Sequence, residues 1–239
     1  GPPRSSRGRS SISSRRAERA LPVPRIAFLW RRVCALGVAQ IVSWGTLFYT
    51  IAVLGAAMRA ETGVGELWLF GSFTAGLFLS GLVSPLVGRQ IDAHGGRRVL
   101  ASGSLLGAAA CAVLAAAQGP ISLLAGWLLA GVAMAACLYD PAFATLHQIA
   151  GLSYRRAVTA LTLFGGFAST VFWPLSQYLL DTVGWRQTFA TYAVLHLVLV
   201  STFGFTVGHR VVGLGVLSLS GGRPRPVQVL IRTLLLCLA

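Results

Sequence analysis

Residues 88–100 read "GRQIDAHGGRRVL", from Gly88 to Leu100, and they interrupt two long apolar runs. One acid, a histidine, three glycines and three arginines crowd into this break. A glycine-rich basic stretch suits three tasks: cradling phosphate, binding nucleic acid, or turning a chain at a membrane face. The surrounding composition decides among them. Of 239 residues 55% are hydrophobic and 11% charged, with a mean hydropathy of +0.72. Soluble domains carry about 25% charged residues, so the stretch sits in a chain with the composition of a membrane protein.

The net charge of +14 comes from twenty arginines, no lysine and six acids. Such a balance raises nucleic acid as a partner. Here the arginines are scattered between apolar runs, so membrane topology accounts for them and no nucleic-acid partner is expected. Cys34, Cys111, Cys137 and Cys237 form no C-x-x-C pair, and three of them fall inside apolar runs. They are expected to act as small apolar fillers; neither a metal nor a cofactor is expected. The chain opens on Gly1 and its first methionine is Met58, so the expectation is a processed chain or a fragment.

Residues 1–30 form an Arg/Ser-rich N-terminal tail without hydrophobic periodicity, expected to be disordered and cytoplasmic. A six-helix bundle is expected over 31–207. Its apolar stretches lie at about 33–58, 67–89, 98–117, 120–148, 157–181 and 187–207, each near the ~20 residues that cross a bilayer as a helix. Lipid offers backbone polar groups no partner, so spans of this length are helical. Residues 208–239 break the pattern, with two shorter apolar pieces around Gly-Gly-Arg-Pro-Arg-Pro. They are a C-terminal tail that suits an interfacial segment, a truncated seventh span or out-of-frame sequence equally well.

Arginine placement orients the set. Only Arg59 and Arg186 fall on one side; the other eighteen fall in the two tails and in the second-to-third and fourth-to-fifth connections. By the positive-inside rule both termini and the opening stretch are cytoplasmic. The expected location is an integral position in the lipid bilayer of a bacterial inner (plasma) membrane. A repeat accompanies this topology: Asp92-x-x-Gly95-x-Arg97 recurs 89 residues later as Asp181-x-x-Gly184-x-Arg186. Three spans separate the copies, so the second triplet is inverted relative to the first. Inverted three-helix repeats are a recurring plan of secondary transporters.

The opening stretch has charges of the wrong sign for its own helices. Asp92 falls at a helix C-terminus and Arg97 and Arg98 at a helix N-terminus, each misplacement worth about 0.3–1 kcal/mol when exposed. Pairing with each other or with another helix end offsets that. Gly88 permits close helix approach, and Gly95 and Gly96 permit a tight turn. The spacing Gly88-x-x-x-Asp92-x-x-Gly95-x-Arg97-Arg98 resembles the loop signature of the major facilitator superfamily, placed after span two. Gly184-Trp185-Arg186, Trp44-Gly45 and Tyr139-Asp140-Pro141 resemble further features of its bacterial members, and the likeness covers 33–207.

The resemblance implies an all-α membrane fold, the N-terminal half of a twelve-helix transporter, with the Asp92 loop as a gating latch against the other half. It also implies a central cavity lined by spans one and four, with Gln40, Trp44, Tyr49, Trp127 and Asp140 as substrate candidates. Two departures stand out: the second six spans are missing, and Trp127 occupies a position where many members carry an arginine, so coupling through that arginine is not supported.

Read on their own, these residues leave alternatives open. Asp140 is the one acid well inside a span, where an unpaired Asp costs roughly 2.5–3.5 kcal/mol on insertion scales and usually marks a pathway; an Asp near the interface, capping a break, fits as well. Pro141 leaves the carbonyl of Cys137 without its helical donor, and Pro141 and Pro174 are candidate hinges. Gln40, Ser43 and Thr50 make a polar stripe that suits a cavity wall or ordinary interhelical hydrogen bonds. Gly103, Gly107, Cys111 and Ala115, with Gly165 and Ser169, suit close helix packing, and a lone His196 suits a hydrogen bond.

The leading expectation is transport of a small solute by alternating access, working with a second six-helix half or as a homodimer. An inactive six-helix remnant competes with it. An intramembrane enzyme is disfavoured, because no Gly-x-Ser-x-Gly, metal-spaced cluster or nucleotide-binding loop occurs.

Overall fold

The computed structural model describes the backbone of residues 23–211 and the side chains of 29–201. The tail at 1–22 and most of 208–239 lie outside the described residues. Within them the chain is almost entirely helical: α1 (Val23–Ser43), a π-helical segment (Trp44–Tyr49), α2 (Thr50–Thr62), α3 (Glu66–His94), α4 (Gly96–Ala115), α5 (Pro120–Cys137), α6 (Tyr139–Ala150), a 3-10 turn (Gly151–Ser153) and α7 (Tyr154–Val211). Four helical stretches are long and apolar enough to cross a membrane: Leu29–Thr62, Glu66–His94, Gly96–Ala115 and Pro120–Ser201. The last is far longer than one crossing. It is interrupted at Leu138, whose backbone is extended, at Gly151 (φ 50°) and at Gly184 (φ 81°).

The turns rest on glycine where only glycine suffices. Gly95 (φ 81°, ψ 145°) ends α3, and Gly184 (φ 81°, ψ 167°) breaks α7. Both angles fall in a region that is essentially glycine-only. Gly96 has a different reason: a Cβ there would collide with Thr145 of α6. Nothing lies within 4 Å of where a Cβ at Gly88 would sit, so Gly88 brings no helix of this chain close.

Packing uses small residues, as membrane helices do when lipid removes the hydrophobic drive between them. The α3–α5 contact is backbone on backbone: a Cβ on Gly76 would meet the Trp127 carbonyl, and one on Gly131 the Gly76 carbonyl. Gly37 and Gly45 of the first helix receive the rings of Phe164 and Phe172 from α7. Gly103 lies on Ala136, and a Cβ on Gly107 would collide with the ring of His196. The core therefore runs through α4, α5 and α7 around Trp127, Phe189 and Tyr192, all without exposed surface. By contrast only 17% of the apolar window of α3 is buried, and Leu67, Phe78, Leu82 and Leu86 of α3 point outward. Pro174 lies inside α7 without any departure from helical angles there; the break falls at Gly184.

Candidate functional site

Two helices in this bundle are interrupted, and the interruptions meet. In the first helix the π-helical segment Trp44–Tyr49 inserts a wider turn, a feature that concentrates at functional sites. In the fourth apolar run, Leu138 separates α5 from α6. Pro141 has no N–H, so the carbonyl of Cys137 loses its helical donor. The Gln40 amide supplies the replacement: its Nε2 donates to the Cys137 carbonyl at 2.9 Å and reaches that of Leu138 at 3.4 Å. Gln40 is fully buried while doing so.

Aromatic rings close the junction. Trp44 and Tyr139 lie 5.0 Å apart between centroids, Trp44 and Tyr49 6.2 Å, and Tyr139 stacks on Phe143 at 5.1 Å and 6°. Gly165 of α7 leaves room for the Tyr139 ring, whose hydroxyl donates to the Thr162 carbonyl at 3.3 Å. Trp44, Tyr49, Tyr139 and Phe143 are all half-buried. Asp140 follows Tyr139 in the first turn of α6, with its side chain exposed; a helix N-terminus favours a negative group.

The polar stripe of the first helix turns inward. Thr46 donates its one hydroxyl proton to the Val42 carbonyl at 2.8 Å, so it accepts from the Nε2–H of His196, also at 2.8 Å. Ser43 and Thr50 are buried, as Gln40 is. Gln40 and Thr46 thus bond to other helices, while Gln40 Oε1 and Thr50 Oγ1 are buried without a hydrogen-bond partner. Trp127 is likewise packed, edge-on to Phe73 at 5.0 Å. Of the five residues expected at a cavity, Trp44, Tyr49 and Asp140 reach open surface, whereas Gln40 and Trp127 do not.

At the opening stretch, Asp92 and Arg98 are exposed and Arg97 is half-buried. The ion pairs among the described residues, Arg59–Glu66 at 2.8 Å and Arg186–Glu61 at 2.7 Å, lie elsewhere. Gln148, near the end of α6, spans the turn: its side chain approaches the Gly96 N–H and the Ile91 carbonyl, each at 3.5 Å.

The second copy of the repeat holds a tighter set that sequence reading missed. Glu61, near the end of α2, accepts from the Trp185 indole at 2.6 Å and from Arg186 Nε at 2.7 Å. Arg186 Nη1 also donates to the carbonyls of Ala115, the last residue of α4, and Ala117, just beyond it, at 2.9 and 2.6 Å. A cation there satisfies carbonyls that have no helical partner and suits the helix dipole. The signal available in sequence was an acid and an arginine, both in connections that carry few charges.

Among the described residues no group of three His, Cys, Asp or Glu is placed to hold a metal. A scan against protein-family models and a search of curated proteins each find no match to this chain.

Proposed function

We propose that this chain is one six-helix half of a secondary transporter of the major facilitator kind, moving a small solute across a bacterial inner membrane by alternating access. In this reading the described helices cross six times: 29–62, 66–94, 96–115, 120–150, 154–183 and 185–201. Both termini face the cytoplasm, and the first three crossings repeat upside down as the last three.

One observation carries the reading. The π-helical segment ends at Tyr49 and the α5–α6 break falls at Leu138, 89 positions apart, the same displacement as the Asp-x-x-Gly-x-Arg repeat. Interrupted helices at matching positions of two inverted repeats are the best pointer to a transporter binding site near the membrane midplane. Two further pairs keep this displacement. Gly95 and Gly184 share φ 81°, and Gly107 touches His196, as residues beside a pseudo-two-fold axis do. The ends of the repeats correspond as well: Glu61 bonds to the turn at 184–186 and Gln148 approaches the turn at 91–96.

Rocking needs a companion bundle, either a second six-helix half or another copy of this chain. The exposed Asp92 and the little-buried α3 leave surface for it. In this reading Asp92 of the opening stretch, with Gly95, Arg97 and Arg98, latches the companion on the cytoplasmic side.

The test is uptake by the purified full chain in liposomes, screened over small anionic, neutral and cationic solutes. Saturable accumulation that Trp44→Ala reduces supports the proposal. A folded, membrane-inserted chain that accumulates none of them, alone or with a companion half, makes it an inactive relative.

A further inference from the structure

The junction of the two interruptions is nearly free of charged side chains. From Val33 to Met58 and from Val99 to Tyr154 the sequence holds no arginine or lysine and one acid, Asp140. These ranges contain both interrupted helices. Asp140 is exposed on α6 and has no hydrogen-bond or ion-pair partner among the described residues. It lies about 12 Å along the helix from residue 148, where the apolar run ends. A carboxylate at that depth is strongly disfavoured against lipid, so the face of α6 bearing it meets water or another polar group. Half-buried Tyr139 and Phe143 stand on the same helix, with Trp44 and Tyr49 across the junction.

Carboxylate and aromatic faces together attract one class of ligand. The negative faces of Trp and Tyr rings hold cations, best when desolvated, and Asp140 adds a full charge. An anionic solute meets no arginine or lysine at this depth in the bundle. Resting on the transporter reading for its setting, we infer that the junction binds an organic cation, held by Asp140 and by the half-buried rings of Trp44, Tyr49 and Tyr139.

The experiment uses two probes of equal shape and opposite charge, tetraphenylphosphonium and tetraphenylborate, with the full chain in nanodiscs and binding read by tryptophan fluorescence and calorimetry. Tetraphenylphosphonium binds saturably. Asp140→Asn weakens it about ten-fold or more, Asp140→Glu recovers most of it, and Tyr139→Leu weakens it about three-fold. Should Asp140→Asn fail to fold, Tyr139→Leu and Trp44→Phe read the same site. Equal affinity for tetraphenylborate, or unchanged cation binding in monodisperse Asp140→Asn, overturns the inference. So does cross-linking that pairs Asp140 with a basic residue of a companion bundle. Asp140-dependent cation binding without uptake of any solute overturns transport and leaves the cation site standing. Uptake of other solutes without Asp140-dependent cation binding does the reverse.

Discussion

Gln40 and Cys137, 97 positions apart in sequence, are joined by a hydrogen bond that a proline makes necessary: the Gln40 amide donates at 2.9 Å to the carbonyl that Pro141 deprives of its helical donor. The break in the α5–α6 rod is therefore stabilised from the first helix, next to its π-helical turn. Replacing Gln40 by Leu leaves a buried acceptor unpaired and is expected to destabilise the fold by about 1–3 kcal/mol, measured by mild-detergent unfolding. Pro141→Ala restores an N–H beside the same carbonyl. The double variant should therefore lose less than the sum of the singles, a coupling that a double-mutant cycle measures directly.

Gly95 and Gly184 share one backbone conformation, so alanine at either should have a similar effect. Each is expected to lose about 1–3 kcal/mol, the strain of a non-glycine residue in that region. A large loss at one position and none at the other would argue against equivalent turns.

Glycines of the helices should divide by what surrounds them. Gly81 has open space where a Cβ would sit, and Gly81→Ala is expected to stabilise by roughly 0.5–1 kcal/mol. Gly76→Ala and Gly131→Ala force apart the α3–α5 backbones and should lower the melting temperature sharply. Melting curves of the three purified variants supply the ranking.

Arg186 donates hydrogen bonds to Glu61 and to the carbonyls of Ala115 and Ala117, whereas Glu61 receives one from Arg186 and one from Trp185. Arg186→Lys cannot reproduce the planar fork and should melt at a lower temperature than the parent. Glu61→Gln should be milder. Because Glu61 and Arg186 are partly solvent-exposed, added salt should narrow the difference between Glu61→Gln and the parent.

Sequence exposes some of this organisation and hides the rest for physical reasons. Long apolar runs are legible because lipid permits a spanning backbone few alternatives to helix, and the turn at Gly95 is legible because positive φ favours glycine. The π-helical turn at Trp44–Tyr49 leaves no trace in periodicity, since one added residue in a mostly apolar run moves no clear boundary. The direction of the polar stripe is hidden too. In a membrane helix, polar residues mark a face away from lipid, but Gln40 facing a carbonyl and Gln40 facing a water-filled cavity have the same sequence. Trp127 is ambiguous likewise, because aromatic residues fill both cores and binding sites. The break in α7 at Gly184 is legible only as a glycine, whereas Pro174, a candidate hinge, lies within helical backbone.

The most direct test of the central claim, two inverted triplets crossing the membrane, is sided labelling of added cysteines in a Cys34→Ser, Cys237→Ser background that keeps only the buried Cys111 and Cys137. The account predicts that cysteines at His94 and Leu152 react with an impermeant reagent only from the cytoplasmic side, and those at Val64, Gln118 and Val183 only from the opposite side. Labelling of His94 and Gln118 from the same side, or of Val183 from the cytoplasm, would contradict it.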